Sequence, residues 1–167
     1  MMEEPIRCWG IASLTEDGMH IVMLDFDDAG LTLVIKHILK AQRKFNLSDF
    51  HIIQGGKPDH FHTYCTSKVT LEEYLDIIKY FEENADCDDN FKIPLIKWEV
   101  KKTVLRVFGK DKLEYSQTIE SVCQNRREHS KAHLNFLKDM HGIDISPYTH
   151  IDNHEETIVD NYPTHKP

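Results

Sequence analysis

Cysteine is scarce in this chain and is never paired in sequence. The four cysteines (Cys8, Cys65, Cys87 and Cys123) stand far apart with no Cys-x-x-Cys among them, so no disulfide framework is expected, and an intracellular, reduced protein is. Glycine and proline, at seven and six residues, form no Gly/Ser linker or low-complexity block, and no internal repeat is present. Long apolar runs are missing too. The longest, such as 20–24 (HIVML), are far short of the roughly 20 residues a membrane helix needs. No basic segment followed by an apolar one opens the chain, which predicts no secretory signal. What remains is 167 residues, 40% hydrophobic and 29% charged, the composition of an ordinary globular protein with one self-sufficient core.

The net charge of −8 disfavours a non-specific nucleic-acid coat protein. Charge is unevenly placed, however. Residues 1–91 carry 8 Lys/Arg against 17 Asp/Glu, residues 92–138 carry 11 against 5, and residues 139–167 carry 1 against 6. An acidic half followed by a basic stretch is compatible with a metal-binding face beside a phosphate-binding face, and equally with chance clustering on a solvated surface.

Hydrophobic periodicity predicts the elements. Short strands at 11–14 and 20–26 flank an Asp17-Gly18 turn, a hairpin signal. Asp27 or Asp28 then stands where a helix N-cap belongs, before an amphipathic helix over about 29–45. Strands at 50–54 and 60–65 bracket Gly55-Gly56 and Pro58 as a second hairpin. Thr70 and Glu73 form a capping box for a helix over about 71–84. Strands near 93–98 and 103–108 precede a long helical region over about 116–141, ending before Gly142. The expected order is ββαββαββα: an α+β fold, one domain over 1–142 with an antiparallel sheet and helices packed on one face. The acidic, His-containing segment 143–167 lacks periodicity and reads as an extended tail.

Four places could carry chemistry. Asp25-Phe26-Asp27 ends an apolar strand, and a strand period of two puts both carboxylates on one face, about 6–7 Å apart. Carboxylates that close repel one another unless a cation lies between them, and hard oxygen ligands suit Mg²⁺ or Mn²⁺. Helix capping would explain one aspartate of the cluster but not Asp25. In Asp59-His60-Phe61-His62-Thr63-Tyr64 the two histidines share a face, able to donate to phosphates or ligate a metal, or merely to line a solvated strand. Asp86, Asp88 and Asp89 follow the second helix, as a third carboxylate for two metals or as a solvated loop. Arg106 and Lys110 flank Gly109 as a polyphosphate pair, or serve as a cross-strand partner of Glu99 and a turn lysine. His129 and His133 have the spacing of a helical metal pair, without supporting context, and read as surface histidines. Trp9 and Trp98 read as core or rim aromatics rather than base-stacking platforms.

In chain order these features are an Asp-x-Asp at a strand end, an aromatic-His-x-Tyr hairpin strand, an Asp-x-x-Phe after a helix, and Leu-Arg-Val-x-Gly-Lys. Over residues 20–112 that series resembles the catalytic core of the archaeo-eukaryotic primase superfamily, the primase-polymerases of archaea, viruses and plasmids. The resemblance implies a modified RNA-recognition-motif-like sheet and a DNA primase or polymerase activity in replication or repair. Nucleoside triphosphates would be joined on a single-stranded DNA template with two Mg²⁺ or Mn²⁺ ions. It assigns the metals to Asp25, Asp27 and Asp88, with Asp89 as fallback, and the nucleotide phosphates to His62 (or His60), Arg106 and Lys110. It also implies a helicase or accessory subunit as partner, and no membrane. The family's small residue before the histidine is replaced by Gly55-Gly56-Lys57-Pro58, and no zinc-binding Cys/His cluster is present.

Two other readings stay open. His60-Phe61-His62 also spells the His-hydrophobic-His metal motif of rolling-circle replication initiators, which cleave DNA with a tyrosine nucleophile followed four residues on by lysine. Tyr74, Tyr80 and Tyr115 are followed at that distance by Ile78, Asn84 and Ile119. The third reading is a non-catalytic nucleic-acid-binding module.

Overall fold

The computed structural model describes residues 7–27, 29–55, 58–84, 96–97, 102–107, 113–123, 127–148 and 162–165, with backbone alone at 7–9, 27, 55, 84, 96–97, 102–107, 113–115 and 162–165. Along the described chain run β1 (Arg7–Ala12), β2 (His20–Asp27), α1 (Leu31–Phe45), β3 (Phe50–Gly55), β4 (His60–Val69) and α2 (Leu71–Asn84). They are followed by β5 (Ile96–Lys97), β6 (Lys102–Val107), β7 (Leu113–Ile119), α3 (Lys131–His141), a 3-10 turn (Ser146–Tyr148) and β8 (Tyr162–His165). The strands form two four-stranded sheets, ordered β5-β6-β1-β8 and β2-β4-β3-β7, with every pairing antiparallel. The fold is α+β. Among the described residues no helix is long and apolar enough to cross a membrane.

Local chemistry accounts for the boundaries. Gly18 takes φ +81 in the β1–β2 connection, where the Thr15 N–H donates to the Met19 carbonyl at 2.8 Å. The capping box forms as expected: Thr70 N–H donates to the Glu73 carboxylate and Glu73 N–H to the Thr70 hydroxyl, both at 3.1 Å. At α1 the expectation fails. The helix begins two residues later than predicted, and Gly30, not Asp27 or Asp28, occupies the N-cap position, with no side-chain cap. Asp27 instead continues β2, paired with His60.

The period-two alternation of β2 decides the packing. Val22, Leu24 and Phe26 join Phe50, Ile52, Phe61 and Cys65 in one core, which α1 closes with Val34 and Ile38 and α2 with Tyr74, Ile77 and Phe81. Ile21 and Met23 point the other way, into a second core with Ile53, Tyr64 and the α3 residues Leu134 and Leu137. Helices therefore cover both faces of this sheet, not one. The change follows from residues 113–119, of which 116–119 were expected as the start of a long helix. Paired along β3 they become β7, because the open edge of β3 supplies a hydrogen-bond ladder that helical propensity cannot outweigh. The helix is thereby shortened to 131–141 and starts at the cap Ser130.

The segment read as a tail is also part of the fold at two places. Ile143 and Ile145 are buried in the second core, and β8 pairs with β1 from Arg7 to Gly10.

Two buried histidines complete the second face. His133 donates from Nε2 to the Ala12 carbonyl at 2.7 Å and accepts at Nδ1 from the Ser130 hydroxyl at 2.6 Å, an arrangement that suits the neutral ring. His51 meets the Thr118 hydroxyl at 3.0 Å, while its Nε2 is buried without a partner. Burial lowers both to about 4.

Two outcomes are expected. Phe26→Ala removes a fully buried ring lying edge-on to Phe81 and should cost about 3–5 kcal/mol in urea unfolding. His51 and His133 have folded values below their unfolded ones, so the unfolded chain binds more protons between pH 4 and 6.5. Stability should therefore fall as pH drops from about 6.5 to 5, by up to about 1.4 kcal/mol per unit for each histidine. Denaturation curves that do not shift over that interval would contradict this assignment.

Candidate functional site

The β2–β4 register sets the site. Cross-strand pairs run Asp25↔His62, Phe26↔Phe61 and Asp27↔His60, so Asp25 and the two histidines project from the face opposite α1 and α2, and backbone register gives Asp27 a position on that face. Phe26 and Phe61, between them in sequence, are held in the first core. Their burial anchors the register, because a slip by one residue would expose both rings and bury the charges.

Asp25 and His62 meet directly. The carboxylate Oδ1 lies 3.5 Å from the imidazole Nε2, with the two side chains 30% and 33% exposed. A ligand can reach them, and water does not fully screen them. One pleat further along β4, Tyr64 lies fully buried with its ring 6.5 Å from His62, its hydroxyl meeting no hydrogen-bond partner. Burial above all, and then the negative charge of Asp25, push its phenol well above the usual range. Tyr64 is thus a neutral floor beneath the carboxylate–imidazole pair.

Around Tyr64 the end of α3 adds two more rings. Phe136 lies 5.9 Å and His141 6.5 Å from it, and they meet each other edge to face at 5.5 Å. Both are half-buried, and burial lowers His141 below the ordinary histidine value.

The sequence-predicted residues divide as follows. Asp25 and His62 come together, with Asp27 and His60 placed on the same face by backbone register. Arg106 lies on β6 opposite Gly10 of β1, in the other sheet, and β6 approaches β2 within 8 Å between Cα atoms. Asp86, Asp88, Asp89, Glu99, Gly109 and Lys110 lie outside the described residues. His129 and His133 do not form a helical metal pair, nor are they surface histidines. His133 is fully buried against Ala12, whereas His129 precedes α3, meets the Thr66 hydroxyl at 2.9 Å and packs on Tyr148.

Fit to a divalent cation rests on the donors. Among the described residues no three His, Cys, Asp or Glu side chains converge as a metal-binding group. Asp25 supplies a carboxylate beside the His62 imidazole, and backbone register gives Asp27 a position on the same face. One or two protein carboxylates suffice for Mg²⁺, which keeps waters and takes the rest of its shell from substrate phosphates. The residues therefore fit the group.

Tyr64 entered the sequence reading as the tyrosine of the aromatic-His-x-Tyr motif but was given no role, although it shares the His62 face by pleat; Phe136 and His141 were not singled out, and they reach the site only through the docking of α3.

Removing the unpartnered hydroxyl should cost nothing. Tyr64→Phe is expected to match the wild type or gain up to about 2 kcal/mol in urea unfolding, because an unsatisfied buried hydroxyl opposes folding. A loss above about 1 kcal/mol would show that the hydroxyl has a partner. No family model, curated protein or solved structure matches this chain, so the chemistry of the site rests on its own residues.

Proposed function

We propose that this chain is a template-dependent nucleotidyltransferase of the primase-polymerase kind, forming phosphodiester bonds from nucleoside triphosphates on single-stranded DNA. The observation supporting it most is the Asp25–His62 pair at 3.5 Å, on an accessible sheet face that Asp27 shares. A carboxylate pair at a strand end beside an imidazole is what a metal–triphosphate complex requires: hard oxygens for the cation and an N–H donor for a phosphate.

Asp25, Asp27 and Asp88 would hold Mg²⁺ or Mn²⁺ ions. Bound there, two such ions supply activation of the attacking hydroxyl and charge neutralisation on the pyrophosphate leaving group. The protein's own share is positioning. Asp25 orients the His62 imidazole, and His62 donates an N–H to a phosphate oxygen as charge builds there. Arg106 and Lys110 would offset charge along the triphosphate; the approach of β6 to β2 is compatible with that role for Arg106.

The tyrosines weigh against strand cleavage by a rolling-circle initiator. Tyr74 donates its hydroxyl to the Met23 carbonyl from within the α1/α2 core, and Tyr80 packs edge-on to Phe45 on that same side, across the sheet from His60 and His62. Tyr64 shares the histidine face, but its buried phenol, raised by burial and by Asp25, is a poor nucleophile.

The test is synthesis from labelled nucleoside triphosphates with Mn²⁺ and single-stranded template, with and without primer. Asp25→Asn should lower product by roughly a hundredfold or more while its urea midpoint stays at the wild-type value. A variant that still extends primers would overturn the assignment. A protein–DNA adduct without synthesis would identify a tyrosine endonuclease, and the absence of both products would mean a binding module or a partner-dependent subunit.

A further inference from the structure

Resting on that reading, we infer that Phe136, midway along α3, and His141, at its end, form the shelf on which the base of the incoming nucleotide stacks, while its phosphates lie toward His62 and Asp25. Three observations carry this.

First, the rings are contiguous with the polar pair. His62 and His141 each lie 6.5 Å from the Tyr64 ring, so their separation is at most the sum of those distances. A nucleoside triphosphate bridges such a span, with an aromatic base at one end and anionic oxygens at the other. Second, the two halves of the surface differ in chemistry as the two halves of a nucleotide do. Asp25 and His62 present a carboxylate and an imidazole 3.5 Å apart, whereas Phe136, His141 and Tyr64 present rings around a buried floor. Third, Phe136 and His141 keep part of their surface open although they pack edge to face on one another, so ring area is left for a stacking partner. A neutral His141 stacks without regard to base identity, so the shelf would hold any of the bases and leave selection to the template.

Titration calorimetry of the full chain in Mn²⁺ tests this with three probes: ATP, dATP and inorganic tripolyphosphate, which has phosphates but no base. His141→Asn keeps a polar side chain of similar reach and removes the aromatic face; His141→Phe keeps the face. For whichever nucleotide the wild type binds, His141→Asn should weaken affinity about tenfold, the scale of one base–aromatic contact, and His141→Phe should restore it. Tripolyphosphate should bind wild type and both variants alike. Unchanged nucleotide affinity in His141→Asn, failure of His141→Phe to restore it, or a parallel loss of tripolyphosphate would each overturn the shelf and leave the nucleotidyltransferase reading standing. A wild type that binds neither ATP nor dATP would overturn that reading, and the shelf with it.

Discussion

Register between β2 and β4 is the constraint on which everything else depends. Phe26 and Phe61 are cross-strand partners held in the core under α1 and α2, and this alone places Asp25 opposite His62 on the other face. The apolar side of the sheet thus acts as a ruler for the polar side. Each buried aromatic ring contributes on the order of 2–3 kcal/mol by leaving water, far more than an exposed carboxylate–imidazole contact could. Core packing, then, holds the polar pair in place.

The second face is divided along its length. Toward the start of β2 it is sealed by α3, by Ile143 and Ile145, and by His133 matched on both ring nitrogens. Toward the end of β2 the seal stops, and Asp25 and His62 keep about a third of their surface. Tyr64 stands at the boundary with its hydroxyl unpartnered. Buried polar groups elsewhere on this face are mostly satisfied: the Lys68 ammonium, almost wholly buried, meets Asp17 at 3.1 Å and Glu128 at 3.4 Å. Besides the Tyr64 hydroxyl, His51 Nε2 is the other unmet buried atom on the described part of this face.

Legibility from sequence followed the range of the interactions. The α2 capping box, the Asp17-Gly18 turn and the αL residue Gly142 at the end of α3 are set by contacts within a few residues, and all could be read directly. The same holds for His60 and His62, whose shared face needs only the period of a strand; that Asp25 joins them depends on the β2–β4 pairing. Residues 116–119 were misread as helix because alternation and helical spacing are hard to separate in so short a mixed stretch; β3, more than 50 residues earlier, decided in favour of a strand over 113–119. Ile143 and Ile145 were missed for a related reason. Two apolar residues in a polar segment have no periodicity, and only the groove beside α3 explains their burial.

By itself the sequence determined an α+β chain, the β3–β4 hairpin, two amphipathic helices, and an aspartate pair and a histidine pair each on one face of its own strand, because each is written in spacing of two to four residues. The first expected hairpin was not formed: β1 and β2 belong to different sheets, with an isolated bridge at Leu14–His20 between them. The tertiary structure alone decided the split into two sheets, the placement of α3 over the second face and the arrival of Phe136 and His141 beside Tyr64. Those outcomes depend on which distant surfaces exclude water together, and burial of apolar area carries no sequence distance.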